Sequence, residues 1–130
     1  MKKLITVLLT AMLFIARSAY ADWTLFNITK DNGSYFYYDK DNLIKNGNIV
    51  TVNTIINDVE KVSTAKDKHL SMKVVEQIDC KNIRTKYISL TVYDNHMGLG
   101  NVIKTEKSVA SWYEIKSGSI ADTLFDKVCK

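Results

Sequence analysis

The chain has 130 residues, with 25% charged side chains and a formal net charge of +4 at pH 7. This length suits one small domain rather than several. Its two histidines and two cysteines occur in neither an H-E-x-x-H nor a C-x-x-C spacing, so the sequence predicts no metal site.

The first 21 residues have the three parts of a secretory signal peptide. Two lysines precede a largely apolar run from Leu4 to Ala16, and Ala19-Tyr20-Ala21 has the small-x-small pattern that signal peptidase cuts. The run is short for a bilayer span, so we expect cleavage before Asp22 and no retained membrane anchor. Residues 22–130 are then expected to form a single exported domain, in the periplasm, secreted or on the cell surface.

Removal of this segment also changes the charge. It contains three of the 18 basic residues and no acidic one, so 15 basic residues remain against 14 acidic ones and the net charge falls to +1. A nearly neutral exported protein is not expected to bind nucleic acid.

Both cysteines, Cys80 and Cys129, lie in the exported part. A lone pair in an oxidising compartment normally forms a disulfide. The bond would close a loop of about 50 residues, for which the chain-entropy relation gives about 4 kcal/mol of stabilisation. A small domain has a limited core, so this contribution is large.

The first half of the exported part predicts strands separated by turns, because aromatic and β-branched runs alternate with Asn-Gly signals. In chain order these elements are Trp23 to Lys30, a turn at Asp31-Asn32-Gly33, Ser34 to Asp39, a helical turn within Lys40 to Ile44, a reversal at Asn46-Gly47, and Ile49 to Ile56.

The middle of the chain has two alternating strands after a polar, loop-like stretch from Asn57 to Lys68. The first predicted strand places one apolar set on one face: Leu70, Met72, Val74, Ile78 and Cys80. On the second, Ile83 to Tyr93, one face begins with Arg84 and Lys86 and continues as Ile88, Leu90 and Val92. Tyr87 and Tyr93 are on the other face. Because both faces carry large side chains that can be partly covered, the strand is predicted to be central in the sheet.

Near the C-terminus, the spacing of apolar residues changes from that of a strand to that of a helix. Val102 to Thr105 and Val109 to Ile115 are the last predicted strands, and Ser119 with Asp122 approximates a capping box. The apolar residues that follow fall at helical spacing on one stripe: Ile120, Ala121, Leu124, Phe125 and Val128. The predicted fold class is α+β, an antiparallel sheet of about six strands with a C-terminal helix that Cys129 links to Cys80.

Two short segments resemble enzyme motifs, but neither supports catalysis. Ser63-Thr64-Ala65-Lys66 matches the S-x-x-K pattern of penicillin-binding enzymes, but about 109 residues cannot supply their second subdomain. Gly98-Leu99-Gly100 lacks the third glycine of a phosphate-binding turn. We therefore expect no catalysis and no cofactor.

Basic residues surround the start of the strand that carries Cys80. They are Lys66, Lys68, Lys73, Arg84 and Lys86. Two interpretations stay open: a solvated lysine-rich surface, which is the ordinary state of lysine, or an electrostatic docking site for an acidic or sulfated partner.

Several short motifs occur in an order that resembles the surface-adhesin protein E family of proteobacterial exported proteins. They are an opening Trp23, an aromatic strand ending at Asp39, Asn42 to Gly47, Ile78-Asp79-Cys80, Gly98-Leu99-Gly100, Trp112 to Ile115, and a short helix closing with Cys129. The resemblance covers nearly all of the exported part.

The resemblance implies a six-stranded antiparallel sheet with a disulfide-linked C-terminal helix, and binding of host proteins such as vitronectin and laminin. It also implies a role for a basic pair before the first cysteine, where this chain has Lys66-Asp67-Lys68. Two departures are Asn53 in place of a tryptophan and the absence of a lipidation cysteine. The alternative hypothesis is a small periplasmic inhibitor or envelope accessory protein that inserts the Asn95–Asn101 loop into a bacterial partner. The oligomeric state is left open.

Overall fold

The computed structural model describes residues 22–64, 67–107 and 111–130, with the backbone alone for 61–64, 67 and 68. The predicted signal peptide, Lys66 and the beginning of the strand expected from Val109 lie outside the described residues. Within that part of the chain, no helix is both long and apolar enough to cross a membrane.

The described residues form eight strands and one α-helix. The strands are β1 Trp23–Ile28, β2 Ser34–Asp39, β3 Ile44–Asn46, β4 Ile49–Thr64, β5 Asp67–Asp79, β6 Arg84–Tyr93, β7 Val102–Lys107 and β8 Tyr113–Glu114; the helix is α1 Ile120–Cys129. Short 3-10 turns at Lys40–Asn42 and His96–Gly98 follow β2 and β6.

All strands belong to one antiparallel sheet in the order β1-β2-β4-β5-β6-β7. The two shortest strands lie off this path, β3 beside β4 and β8 beside β6. The predicted α+β class with about six main strands is confirmed. The Asn46-Gly47 reversal is also correct, since Gly47 has φ +60°, a conformation that glycine adopts without steric cost.

The helix packs on one side of the sheet, which we call the helix face. The buried core lies there and consists of Tyr38, Val50, Val52, Ile78, Ile115, Leu124, Phe125 and Val128. The opposite side, the open face, carries the alternate residues of the strands, including Asn53, Lys73, Val75 and Ser89.

The Cys80–Cys129 disulfide joins the end of α1 to the turn after β5, with 5.6 Å between the two Cα atoms. At the other end of the helix, the Ser119 hydroxyl accepts a hydrogen bond from the Asp122 backbone N–H (3.1 Å), as the capping pattern predicts. The Asp122 carboxylate accepts instead from the Gly118 N–H, one residue before the cap. Both ends of α1 are therefore fixed.

The loop predicted from Asn57 to Lys68 is wrong. β4 runs through to Thr64 and β5 begins at Asp67, and the two strands pair with each other beyond the ends of β2 and β6. We call this two-stranded segment the β4–β5 arm, and Val59 and Glu60 within it are exposed. The arm is held by backbone hydrogen bonds between β4 and β5. The polar composition of the segment gives no sign of this pairing, so the sequence was interpreted as a loop.

The alternation predicted for β6 is also wrong beyond Lys86. Val75 pairs with Ser89 and Glu76 with Tyr87, so Ile88 is an extra residue in a β-bulge. The bulge reverses the alternation, and Tyr87 and Leu90 both lie on the helix face. Arg84 and Lys86 accordingly occupy the open face, opposite the apolar residues with which periodicity had grouped them.

Candidate interaction surface

Three of the five basic residues singled out from the sequence share the open face. Lys73 on β5 pairs with Thr91 on β6, while Arg84 and Lys86 pair with Asp79 and Gln77 of β5. The backbone of Lys68 lies in the β4–β5 arm opposite Ser63, and Lys66 is outside the described residues.

Two of these cations lie close to the ring of Trp112. The Arg84 guanidinium carbon and the Lys86 ammonium nitrogen are each 4.8 Å from the centre of its indole ring. This distance is within the range of cation–π attraction, which contributes about 0.5–1 kcal/mol per pair at exposed sites. We call these three residues the Trp112 cluster. Trp112 is partly buried, and its ring is within reach of both cations.

Asp79 fixes the position of Arg84. Its side chain is only 4% exposed and accepts a 2.9 Å hydrogen bond from the Arg84 Nε. Hydrogen bonds from the side chain and backbone of Asn82, followed by those from Arg84 and Lys81, lower the pKa of Asp79 to about 2 despite its burial. Asp79 is therefore ionised at physiological pH, while the Arg84 side chain remains 41% exposed and available to a partner.

A second cation–aromatic contact lies further along the open face. The Lys73 ammonium is 5.8 Å from the centre of the Trp23 ring. A shallow depression beside it is lined by Asp39, Asn53 and Ser89 among others. One oxygen of Asp39 accepts from the Asn42 side chain, and in the described structure the other, Oδ1, has no hydrogen-bond partner. The open face thus combines aromatic rings, cations and polar groups.

The loop after β6 is attached to the sheet. The Met97 backbone N–H donates to the Asn57 side chain (2.7 Å), and the Gly98 N–H donates to the Ser71 hydroxyl (2.9 Å). That hydroxyl in turn donates to the Asn95 carbonyl. The loop therefore covers the open face near Ile55, which is fully buried, while Asn95, His96 and Leu99 remain exposed.

Sequence reasoning singled out Arg84, Lys86 and Lys73 as candidates but did not assign Trp112 a binding role. Tryptophan is the residue type most enriched at interaction hot spots, and that signal was available. Its position could not be read from the sequence, because it depends on the pairing of β8 with Arg84 and Thr85. Among the described residues, no three His, Cys, Asp or Glu side chains are arranged to hold a metal ion.

Comparisons with known proteins agree on the fold. The family described as Surface-adhesin protein E matches residues 23–130. Crystal form II of Haemophilus influenzae protein E is 13% identical, with a TM-score of 0.66 over 86% of this chain and 93% of that one. Protein E from non-typeable Haemophilus influenzae is also 13% identical, with a TM-score of 0.63 over 88% of this chain and 81% of that one. At this identity the likeness establishes the fold alone. No curated protein matches the sequence.

Proposed function

The chain belongs to the surface-adhesin protein E family, and on this premise we propose that it is an exported, non-enzymatic protein that binds a host extracellular protein through its open face. Vitronectin and laminin are the partners that the family resemblance implies. Acidic segments of such a partner would meet the Trp112 cluster.

One observation carries the proposal: two cations lie close to the ring of one partly buried tryptophan on the face that the helix leaves uncovered. Tryptophan and arginine dominate the residues whose truncation weakens protein interfaces most. The hydrogen bond to Asp79 holds Arg84 beside the ring before a partner arrives, so little side-chain entropy is lost on binding. Lys73 and Trp23 extend the same kind of surface towards β1.

Binding of vitronectin and laminin to the exported chain, measured by biolayer interferometry at low and physiological salt, tests this proposal. Lys86→Glu is expected to weaken binding about tenfold or more, because it reverses a charge at the centre of the contact. Trp112→Ala should do the same through loss of the ring. Lys127→Glu is the matched control, since it makes the same charge change on an exposed residue of α1 and should alter affinity less than twofold.

A double change of Lys66 and Lys68 to Glu distinguishes a binding site on the β4–β5 arm from one at the Trp112 cluster. If the cluster binds the partner, this variant should lose less affinity than Lys86→Glu. If only the arm variant loses binding, the binding site lies on the arm and not at the Trp112 cluster. If neither host protein binds at low salt, the adhesin proposal is rejected.

We further propose that export removes residues 1–21 and leaves one domain from Asp22 to Lys130. N-terminal sequencing of the protein recovered from the periplasm or culture medium should begin at Asp22. A product that still begins at Met1 in those fractions would contradict cleavage.

A further inference from the structure

A cavity of about 390 Å³ lies between α1 and the helix face of the sheet. Its wall is mainly apolar and includes Phe26, Phe36, Met72, Leu90 and Leu124. This volume is within the range of small-molecule pockets. At about 30 Å³ for a water-sized group, the cavity has space for about a dozen non-hydrogen atoms.

The cavity reaches solvent at one side. Tyr87 on β6 and Ile120 at the start of α1 both line it, and both are more than a third exposed. The remaining wall comes from the sheet and from the buried stripe of the helix, which the disulfide holds in place.

A carboxyl group lies in this apolar wall. Glu76 is only 7% exposed, and its oxygens are 3.1 Å from the Thr85 hydroxyl and 3.5 Å from the Thr54 hydroxyl. Each hydroxyl also lies within hydrogen-bond distance of a backbone carbonyl, of Gln77 and Val74 respectively. Two hydroxyl hydrogens therefore serve four acceptors, and the carboxylate is incompletely satisfied.

No ion pair within the described part of the chain involves Glu76. A buried carboxylate is normally paired with a cation, because burial without a partner is costly. Burial raises the pKa of Glu76 to about 7, although the hydrogen bonds from Thr85 and Thr54 act in the opposite direction. Near neutral pH the group can therefore lose its proton when a cation arrives.

Glu76 is the only acidic or basic side chain among the described residues that line the cavity. The cavity-lining residues of β1, β2, β4 and α1 do not titrate: Phe26, Phe36, Thr54, Ile56, Ile120, Ala121 and Leu124. Tyr87 faces the cavity from β6 and contacts Tyr113 of β8, with 5.6 Å between ring centres. Burial, followed by Tyr87 and Glu76, raises the pKa of Tyr113, so that phenol stays neutral.

We propose that this cavity binds a small amphipathic amine, whose ammonium group pairs with Glu76 and whose hydrocarbon part fills the apolar wall. A carboxylate ligand would be repelled by the ionised Glu76. A neutral alcohol of the same length would gain the apolar contacts but not the ion pair. Amine binding would not depend on the proposed host-protein binding, because the cavity lies on the opposite face of the sheet.

Three probes of equal chain length test the head group: n-octylamine, octan-1-ol and octanoate, each titrated calorimetrically into the intact, oxidised protein. At pH 8, octylamine is expected to bind at least tenfold more tightly than the other two. Its affinity should be about tenfold lower at pH 6, because the ionised fraction of a group with a pKa near 7 falls by that factor.

Glu76→Gln keeps the size of the side chain and removes its charge. This variant should bind octylamine at least tenfold more weakly and lose the pH dependence, while its affinity for octanol stays unchanged. Ala121→Phe, whose ring would occupy part of the cavity, should weaken binding of both, with circular dichroism confirming that it folds. Equal affinity for the amine and the alcohol, tighter binding of octanoate, or octylamine binding unchanged in Glu76→Gln would overturn the proposal.

Discussion

Replacement of Cys80 and Cys129 together by alanine is expected to lower the free energy of unfolding by about 4 kcal/mol. The disulfide spans 49 residues, and the chain-entropy relation gives this value for a loop of that length. Small domains have total stabilities of about 5–15 kcal/mol, so the loss is a large fraction of the whole.

The same change should loosen the helix more than the sheet. α1 has ten residues, too few to be stable alone, and it depends on packing of Leu124, Phe125 and Val128 against the helix face. Without the bond to Cys80, the C-terminal end of the helix is held by these contacts alone. Amide exchange within α1 should therefore accelerate in the variant by a larger factor than exchange in β4 and β5.

Urea denaturation of the oxidised protein and of the double alanine variant measures the stability difference. The reduced wild-type protein is the matched control, since it lacks the bond but keeps both side chains, and it should unfold close to the variant. A difference below 1 kcal/mol between oxidised protein and variant would contradict the expected stabilisation by the bond.

Glu76→Gln is expected to change how stability depends on pH. The pKa of Glu76 is about 7 in the folded protein, raised by burial from an ordinary value of 4.5. The folded state therefore binds this proton more tightly than the unfolded state, and the stabilising contribution is complete below pH 4.5 and lost as pH rises through 7. At about 1.4 kcal/mol per pH unit, the loss is about 3 kcal/mol.

Glutamine does not titrate, so the variant should gain about 3 kcal/mol relative to the wild type between pH 4 and pH 8. Urea unfolding at several pH values measures this difference directly. Glu60→Gln, an exposed glutamate on β4, is the matched control and should follow the wild-type profile. Parallel profiles for the wild type and Glu76→Gln would mean that Glu76 does not ionise with a raised pKa.

The elements that local sequence signals define were predicted correctly. Ser119 caps α1, three residues of the predicted apolar stripe (Leu124, Phe125 and Val128) are buried, and the two cysteines meet as expected. The alternation of β5 also placed Val74 and Ile78 on the buried face. The helix cap, the helix stripe and the strand alternation each depend on residues that are close together in the chain. The disulfide has only one possible pairing, because the chain has two cysteines.

The remaining features depend on pairing between distant segments. The bulge at Ile88 is defined only by the residues opposite it on β5, so a period-two pattern on β6 cannot reveal it. The bulge determines that Arg84 and Lys86 lie opposite the cavity, while Tyr87 lines it. Trp112 joins the two cations because of the register of β8 on β6.

Hydrogen exchange of the intact chain, alone and saturated with vitronectin, tests most directly whether the open face is the binding surface. We predict slower exchange at the start of β6, around Arg84 and Lys86, and around Trp112, with α1 unchanged. Protection confined to α1, with none around Trp112, would contradict the assignment of binding to the open face.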